Sequence, residues 1–445
     1  MNRFAFTLLM FAALQGTPAI AEAVSDWEKS LEAAESAVLK NDDAHVDENI
    51  ERAMSQTGDD DTIRATIQNQ VGIIRMRQHR YADAQKAFQT ALDLRLSTVG
   101  PSDPATLQTE GNLGLAEVKL GNEVKAEELY KKAIEGKRKT NPTSPSLATS
   151  LTNLAHLLAQ EKRCREAKTL YIEALGIDST EYGATHAEVA QDLFNLGAML
   201  EECNNFTEAL PYLERSKRTY EALKDDLGKS KSLHYIALCY TGMHQPAKAS
   251  EASLAAFETH EHFKGKGHGD TLVHLLNAAD SVDAMGEGPK AQKLYQQALQ
   301  SAEAAKEPSN LRLAECNLEM GEFFLRHNER EKAEQYFKSA IVHYDALNKR
   351  DRRTLYELPL VYVKLLQDAH RDTEADELST RYIDVFLPTT TASSAPAPVL
   401  TPAATPDAPV ATPDAPVATT DAPAATPAPS TPPVGTDEGA RKDAP

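Results

Sequence analysis

The sequence predicts an all-α protein, a solenoid of eight to nine stacked helical hairpins. The first observation behind this prediction is a small residue, preceded by an apolar one, that returns about every 42 positions. These anchor residues are Gly72, Gly114, Ala155, Gly197, Ala237, Ala279, Gly321 and Val363. The second observation is an alanine twelve residues after every anchor, at Ala84, Ala126, Ala167, Ala209, Ala249, Ala291, Ala333 and Ala375. Repeated units that cannot bury their apolar faces alone become stable by stacking on one another.

Each unit is predicted to contain two helices joined by a turn. The second helix carries Ala84, Phe88 and Ala91, or their equivalents, on one face, because residues three and four apart are neighbours on a helix. The anchor lies on the first helix, where a small side chain lets the two helices approach closely. Seven residues after each anchor comes a set enriched in residues that tolerate the left-handed conformation that ends a helix. The set is His79, Gly121, Lys162, Asn204, His244, Gly286, Asn328 and His370.

These repeats occupy residues 65–387, and a divergent capping repeat is predicted at residues 22–64. The cap is inferred from four apolar residues that lie at matching offsets. They are Ala34, Val46, Ile50 and Ala53. A cap is expected because the apolar face of a terminal repeat has to be closed.

The spacing of small, apolar and aromatic residues resembles the tetratricopeptide repeat, with its L-G-x2-Y and A-x3-F pattern. The segments at 99–105 and 265–271 are similar to the G-P-x-H-P-D linker of kinesin-light-chain-type tetratricopeptide repeats, with His268 as the linker histidine. The resemblance covers residue 65 to about residue 387. It implies a right-handed superhelix whose first helices line a concave groove.

Residues 1–21 have the organisation of a secretory signal peptide. Arg3 precedes an apolar run at 4–14, and Ala19 and Ala21 form a small-x-small cleavage site. The run is too short for a stable membrane anchor, and no later segment reaches about 18 uninterrupted apolar residues. We therefore predict export, with no membrane span, to the periplasm or the medium.

Residues 388–445 differ from the rest of the chain, since they are mostly Pro, Ala and Thr. A heptad recurs there, and Asp407, Asp414 and Asp421 mark its period. A segment with so little to bury cannot offset the entropy of ordering, so it is predicted to be a disordered tail. It serves either as a solubilising tail or as a spacer or docking segment near the cell wall.

The formal net charge of -19 restricts the partners of the protein. Most of this charge, about -16, belongs to the repeats, because residues 1–21 and 388–445 carry +1 and -4. An acidic body disfavours nucleic acid, whose phosphates require Lys and Arg. The charge either attracts basic partners or keeps an exposed solenoid soluble.

Four cysteines raise the question of disulfides in an exported chain. Cys164 and Cys203 fall near the turns of successive repeats and so lie on one edge of the stack, where a bridge is geometrically possible. Cys239 and Cys316 are too far apart in a one-dimensional stack to pair, so they are expected to be buried thiols. Sequence alone does not determine connectivity.

Catalytic motifs and metal motifs are missing from the sequence. There is no G-x-S-x-G, H-E-x-x-H or C-x-x-C pattern and no phosphate-binding glycine loop. The nearest approach to a metal cluster is His260, His262 and His268, but the linker already accounts for His268. We predict that the protein is not an enzyme and carries no cofactor.

The resemblance also implies a binding site. In this family an Asn two residues before the anchor commonly holds the main chain of a bound peptide, which an amide can do by donating and accepting at once. The matching residues here are Gln70, Asn112, Asn153, Asn195 and Asn277, whereas Tyr235 and Glu319 depart from the pattern. The alternative is that these amides only satisfy backbone groups between neighbouring repeats.

Other positions that face the groove change in character along the chain. The early positions, Met76, Arg77, Leu115, Val118, Lys119 and His156, are apolar or basic. The later positions, Glu201, Glu202, Asp280, Asp283 and Glu322, are acidic. This suggests an extended partner whose acidic or C-terminal end meets Arg77 and Lys119 and whose basic residues meet the later repeats.

Three functions are consistent with these features. The first is a non-catalytic scaffold or adaptor that binds peptides or partner proteins in the groove, outside the cytoplasm. The second is a structural or assembly factor of the cell envelope that acts through its convex face or its Pro-rich tail. The third is a subunit that recruits substrates for a separate enzyme. The sequence identifies neither the partner nor the oligomeric state.

Overall fold

The structure, a computed structural model, describes residues 25–56, 58–264 and 269–382. The predicted signal peptide, the predicted tail and His268 lie outside these residues. The described residues form helices and no strand. The helices are α1 (Asp26–Val38), α2 (Asp43–Ser55), α3 (Asp61–Arg77), α4 (Tyr81–Thr98), α5 (Pro104–Lys119), α6 (Glu123–Thr140), α7 (Pro145–Gln160), α8 (Cys164–Tyr182), α9 (Ala187–Glu202), α10 (Phe206–Leu223), α11 (Asp226–Gly242), α12 (Pro246–Lys264), α13 (Gly269–Ala284), α14 (Gly288–Glu303), α15 (Asn310–Arg326), α16 (Arg330–Asp345), α17 (Lys349–Thr354), α18 (Glu357–Asp368) and α19 (Asp372–Arg381).

Consecutive helices pack as hairpins, which confirms the predicted all-helical solenoid. The pair α1 and α2 precedes the eight repeats, and the buried residues Ala34, Val46 and Ala53 join it to the core. The repeats begin with α3, α5, α7, α9, α11, α13, α15 and α18. One element was not predicted, the short helix α17 that connects the last two repeats.

The turns within the repeats have the predicted left-handed conformation. All eight residues that follow the anchors by seven positions have positive φ angles, from 56° at His244 to 80° at Gly121. This conformation reverses the chain after the first helix, so the second helix returns along it. Only Gly adopts it without a steric cost, and the Asn, His and Lys residues here occur as single positions in tight turns.

The core consists of the contact between the two helices of each repeat. The eight recurrent alanines are at most 1% exposed. The anchors are small because the next helix is close: a Cβ on Gly72 would lie 2.4 Å from a ring carbon of Phe88, and one on Gly321 would lie 2.6 Å from Phe337. These contacts make each hairpin a rigid unit that the neighbouring hairpins extend.

The first helices of successive repeats also contact one another directly, at each step from α1 to α11 and again from α13 to α15. They therefore present two runs of contacting first helices, α1 to α11 and α13 to α15, whose outward surface we call the groove face. Within the described residues, no helix is long and apolar enough to cross a membrane.

Candidate binding groove

The predicted amide ladder lies on the groove face, but its members have different surroundings. Asn112 is buried, whereas Gln70, Asn153, Asn195 and Asn277 are half-buried. Burial alone does not show whether an amide serves the fold or a partner. The hydrogen bonds of the side chains make that distinction.

Two of the ladder amides are already bonded within the protein. Nδ2 of Asn112 donates to Oδ1 of Asn69, which is buried on the preceding repeat, at 3.1 Å. Oδ1 of Asn195 accepts from Nε2 of Gln191 at 2.8 Å, and Gln191 in turn accepts from the hydroxyl of Tyr220 at 3.0 Å. Asn112 therefore links two repeats, through a side chain and not through the backbone groups that the alternative interpretation named.

The other three amides retain hydrogen-bonding capacity. Among the described residues, the side chains of Gln70 and Asn153 make no hydrogen bond with the protein. Nδ2 of Asn277 is shielded from solvent and has no acceptor. A buried amide without a partner is unfavourable, so these positions are the better candidates for contacts with a ligand.

The early part of the groove face carries few free charges. Nη1 of Arg77 lies 3.5 Å from Oε2 of Glu35 in the capping hairpin, so this predicted contact is partly neutralised. Lys119 is exposed and makes no ion pair with the residues that the structure describes. Nε2 of the His156 ring accepts a hydrogen bond from Nε2 of Gln160 at 3.1 Å. Desolvation and the charge of Lys119 lower the pKa of His156.

Carboxylates dominate the groove face from α9 onward. Glu201 is half-buried, and desolvation followed by repulsion from Glu202 raises its pKa to about 7. Desolvation also raises the pKa of Glu202, although Lys162 opposes this shift. Tyr235 lies beside them, packed edge-on against Phe194 with 5.2 Å between ring centroids. This region offers negative charge next to an aromatic ring.

A second group of carboxylates lies on α13 and α15. Desolvation raises the pKa values of Asp280, Glu319 and Glu322. Repulsion from Asp280 adds to the shifts of Glu319 and Glu322, and repulsion from Asp283 adds to that of Asp280. One cation, Arg326, contacts Asp283 at 3.0 Å and Asp280 at 3.3 Å. The hydroxyl of Tyr295 donates to Asp280 and accepts from Arg326.

Glu319 and Arg326 are groove residues that the sequence did not select. Glu319 occupies the ladder position of its repeat and was noted only as a departure from the pattern. Arg326 lies five residues after its anchor, the position that Arg77 and Lys119 occupy in earlier repeats. The repeat register was therefore a sufficient signal for both.

Two of the cysteines form a disulfide and the other two are free thiols. Sγ atoms of Cys164 and Cys203 are bonded, with the Cα atoms 6.3 Å apart, and this bond connects α8 to the end of α9. Cys239 and Cys316 are buried free thiols. Desolvation raises their pKa values to about 12, so neither thiol is poised for nucleophilic chemistry.

The two described histidines of the possible metal cluster do not come together. His262 is exposed and its Nδ1 lies 3.2 Å from Asp226, whereas His260 is buried against His274. Among the described residues there is no group of three or more His, Cys, Asp or Glu side chains that could hold a metal ion.

A cavity of about 620 Å³ lies between α6, α7 and α8. Its walls include Ile134, Leu154 and Leu170, and its rim includes Lys131 and Arg138. Lys131 already pairs with Glu127 at 2.7 Å, and Arg138 pairs with Glu173 at 2.6 Å. The cavity therefore offers little unpaired charge to an anionic ligand.

Comparison with known proteins agrees with the repeat geometry. The family model described as tetratricopeptide repeat matches residues 63–139 and 146–222. These two segments match tetratricopeptide repeats. The apo form of RapI has a similar structure, with a TM-score of 0.57 and 14% identity over 81% of this chain and 96% of that one. This likeness concerns the fold.

Two further structures with similar repeats align over a smaller share of the chain. BtubC (BKLC) from P. vanneervenii has a TM-score of 0.44 and 20% identity, covering 54% of this chain and 94% of its own. The repeats of a putative kinesin light chain from Podospora anserina have a TM-score of 0.42 and 18% identity, covering 46% and 99%. No curated protein matches the sequence significantly.

Proposed function

We propose that this protein is a non-catalytic scaffold that binds an extended, positively charged segment of a partner protein along its groove face. Tetratricopeptide repeats generally serve protein–protein interaction. The proposal goes further than the repeat class, because it names the face, the charge of the partner and the residues that meet it.

The observation that carries the proposal is the unbalanced charge of the groove face in the fourth to seventh repeats. Desolvation raises the pKa values of Glu201, Glu202, Glu319 and Glu322 there. Among the described residues, Lys162 partly offsets the charge of Glu201 and Glu202, and Arg326 is shared between Asp280, Asp283 and Glu322, so the carboxylates outnumber the cations. Desolvating like charges costs folding free energy. A Lys or Arg side chain from a partner supplies the missing cation and removes that cost.

The remaining amides give the same surface a way to hold a main chain. Gln70, on α3, and Asn153, on α7, each offer a donor and an acceptor to an extended backbone. Lys119 makes no ion pair within the described residues, so it is the residue that meets an acidic or C-terminal end of the partner. Arg77 contributes less, because Glu35 shares its charge.

We place this binding outside the cytoplasm. The features of residues 1–21 support export, and the bond between Cys164 and Cys203 is of a kind that persists in oxidising compartments. Secretion of the full chain by its source cell, followed by N-terminal sequencing of the secreted form, tests this placement. An intact N-terminus in a cytosolic protein contradicts it.

The binding proposal is tested with two extended peptides of equal length, one bearing Lys and the other bearing Glu at the same alternate positions. We expect the full chain to bind the Lys peptide, and the pair Glu201→Gln/Glu202→Gln to bind it about tenfold more weakly. The matched control is Glu123→Gln/Glu128→Gln, which removes the same charge from exposed positions of the second helix α6.

Equal weakening by both pairs would show that net charge, and not the groove face, attracts the peptide. Preference for the Glu peptide would contradict the proposal directly. The titrations should be repeated at higher salt, because screening reduces the contribution of exposed carboxylates more than that of half-buried ones.

A further inference from the structure

The second helix of each repeat packs on the first helix of the next repeat through two recurring buried positions. At the first junction these positions hold Arg95 and Thr109, and at the second they hold Lys137 and Ser150. In both cases a donor faces acceptors. Nη1 of Arg95 donates to Thr109 Oγ1 and to the carbonyl oxygen of Ala105. Nζ of Lys137 donates to Ser150 Oγ at 2.9 Å.

The third junction, between α8 and α9, breaks this rule. Its two positions hold Asp178 and Asp192, which are 8% and 6% exposed. Two carboxylates that share a buried site cannot both ionise without a large cost. A hydrogen bond between them therefore requires a proton on one of the two.

The surroundings of the pair reinforce this requirement. Desolvation first, then the charge of Asp178 and a hydrogen bond with it, raise the pKa of Asp192 to about 8. Glu188, on the same helix, adds a small shift in the same direction. The neighbouring ionisable groups on α8 and α10 are Tyr171 and Tyr220, whose own pKa values are raised by desolvation and by Asp192. All the charged groups that shift Asp192 are acids.

The opposite end of the same two helices is joined covalently. Cys164 is the first residue of α8 and Cys203 directly follows α9, and the disulfide links them. Asp178 lies fourteen residues further along α8, about 21 Å from Cys164 at the rise of an α-helix. The junction thus has a titratable end and a tethered end.

We propose that the α8–α9 junction is a pH-dependent joint, closed while the Asp178–Asp192 pair holds a proton, loosened when both carboxylates ionise, and tethered at its far end by the Cys164–Cys203 disulfide. The direction follows from linkage. Because the folded protein holds the proton of Asp192 more tightly than the unfolded chain, the stabilisation is complete only below the ordinary pKa of Asp. It is lost progressively as the pH rises from there through about 8.

The position of the joint matters for the groove face. It lies between His156, in the basic part, and Glu201, where the acidic part begins. Loosening the joint changes the relative placement of the two parts. This consequence rests on the proposed function, whereas the existence of the joint does not and is measured without any peptide.

The test compares thermal unfolding of the full chain between about pH 5 and about pH 9. Asp192→Asn keeps the shape and the hydrogen bond of the protonated acid. We expect the wild type to lose melting temperature on going to alkaline pH and Asp192→Asn to lose several degrees less. The control Glu181→Gln, at an exposed position on α8, should follow the wild type. Identical pH profiles for Asp192→Asn and wild type overturn the proposal.

Hydrogen exchange by mass spectrometry locates the effect and does not depend on either aspartate variant folding. After correction for the intrinsic pH dependence of exchange, we expect the protection of the α8–α9 turn to fall several-fold at alkaline pH. The protection of the α6–α7 turn should stay constant, because Lys137 and not an aspartate is the buried group at that junction. Cys164→Ser/Cys203→Ser should extend the loss to the end of α9. Equal protection of both turns at both pH values contradicts the joint, whatever the result of the peptide titrations.

Discussion

The early and late parts of the groove face are built on the same repeat but treat their polar groups differently. In the early part, Asn112 is bonded to Asn69 and Arg77 lies near Glu35. In the late part, Glu202 adds its repulsion to the desolvation that raises the pKa of Glu201, Lys162 of the preceding repeat only partly offsets this shift, and Glu319 is desolvated near Asp280 and Glu322. The comparison teaches that a repeat position does not determine a role. Whether its side chain is paired within the protein does.

The largest effect on stability is expected at Asn112. Asn112→Ala removes the donor to Asn69, which stays buried, so the free energy of unfolding should fall by about 1–3 kcal/mol. Asn153→Ala removes an amide that has no partner in the described protein and should change stability by less than about 0.5 kcal/mol. Denaturant unfolding of both variants measures the difference. Equal losses would mean that the two parts of the ladder do not differ.

A pH effect on the late half is expected next. His234, His260 and His274 are clustered at the junction of the fifth and sixth repeats, with Ser230 and Tyr235 beside them. Desolvation lowers the pKa of His234 to about 4 and that of His274 well below its usual value.

Because these rings are neutral in the folded state, their contribution to stability is present above the ordinary pKa of His. It is lost as the pH falls through the lowered values. His274→Gln should therefore show a shallower loss of stability between about pH 6.5 and about pH 4. His262→Gln, which alters an exposed ring, serves as the control. Parallel profiles for all three proteins would argue against a role for the buried rings.

A smaller effect is expected when the late carboxylates are neutralised without any peptide present. Glu201→Gln/Glu202→Gln should raise the melting temperature at neutral pH by a few degrees. The variant removes the desolvation cost and the repulsion from Glu202 that together raise the pKa of Glu201 to about 7. The same pair weakens peptide binding in the proposal above. A gain in stability combined with a loss of binding distinguishes a ligand site from a structural one, and a loss of both would contradict the comparison.

The smallest effect is expected in the early part. Lys119→Glu should weaken binding of a peptide with a free C-terminal carboxylate a few-fold, and Arg77→Glu should weaken it less, because Glu35 already shares that charge. Titration with the free acid and with the C-terminal amide of the same peptide measures the contribution of the terminal carboxylate to binding. If amidation has no effect on the wild type, the early part does not bind the terminus.

The repeat frame was predictable because it depends on local sterics. Ala84 and its seven equivalents are buried, and all eight turn residues from His79 to His370 are left-handed. The hydrogen-bond partners of the side chains were harder to predict from the sequence. Asn69 and Asn112 are 43 residues apart, and only the rotamers of the folded chain decide whether an amide turns toward the neighbouring repeat or toward solvent.

The pairing of two aspartates at the third junction could have been predicted from the sequence. Asp178 and Asp192 occupy the register of Lys137 and Ser150, so the repeat period places them opposite each other. Their burial, however, depends on how closely α8 and α9 pack, which spacing alone does not give. The same holds for Glu319, whose position was known but whose desolvation was not.

The most direct test of the central claim is cross-linking of a bound Lys peptide. A photoreactive group beside its central lysine, activated in the complex with the full chain and mapped by mass spectrometry, reports which helices the peptide contacts. The account predicts cross-links on the first helices α9, α11, α13 and α15, and their loss in Glu201→Gln/Glu202→Gln. Cross-links concentrated on the second helices, or on residues 388–445, would contradict it.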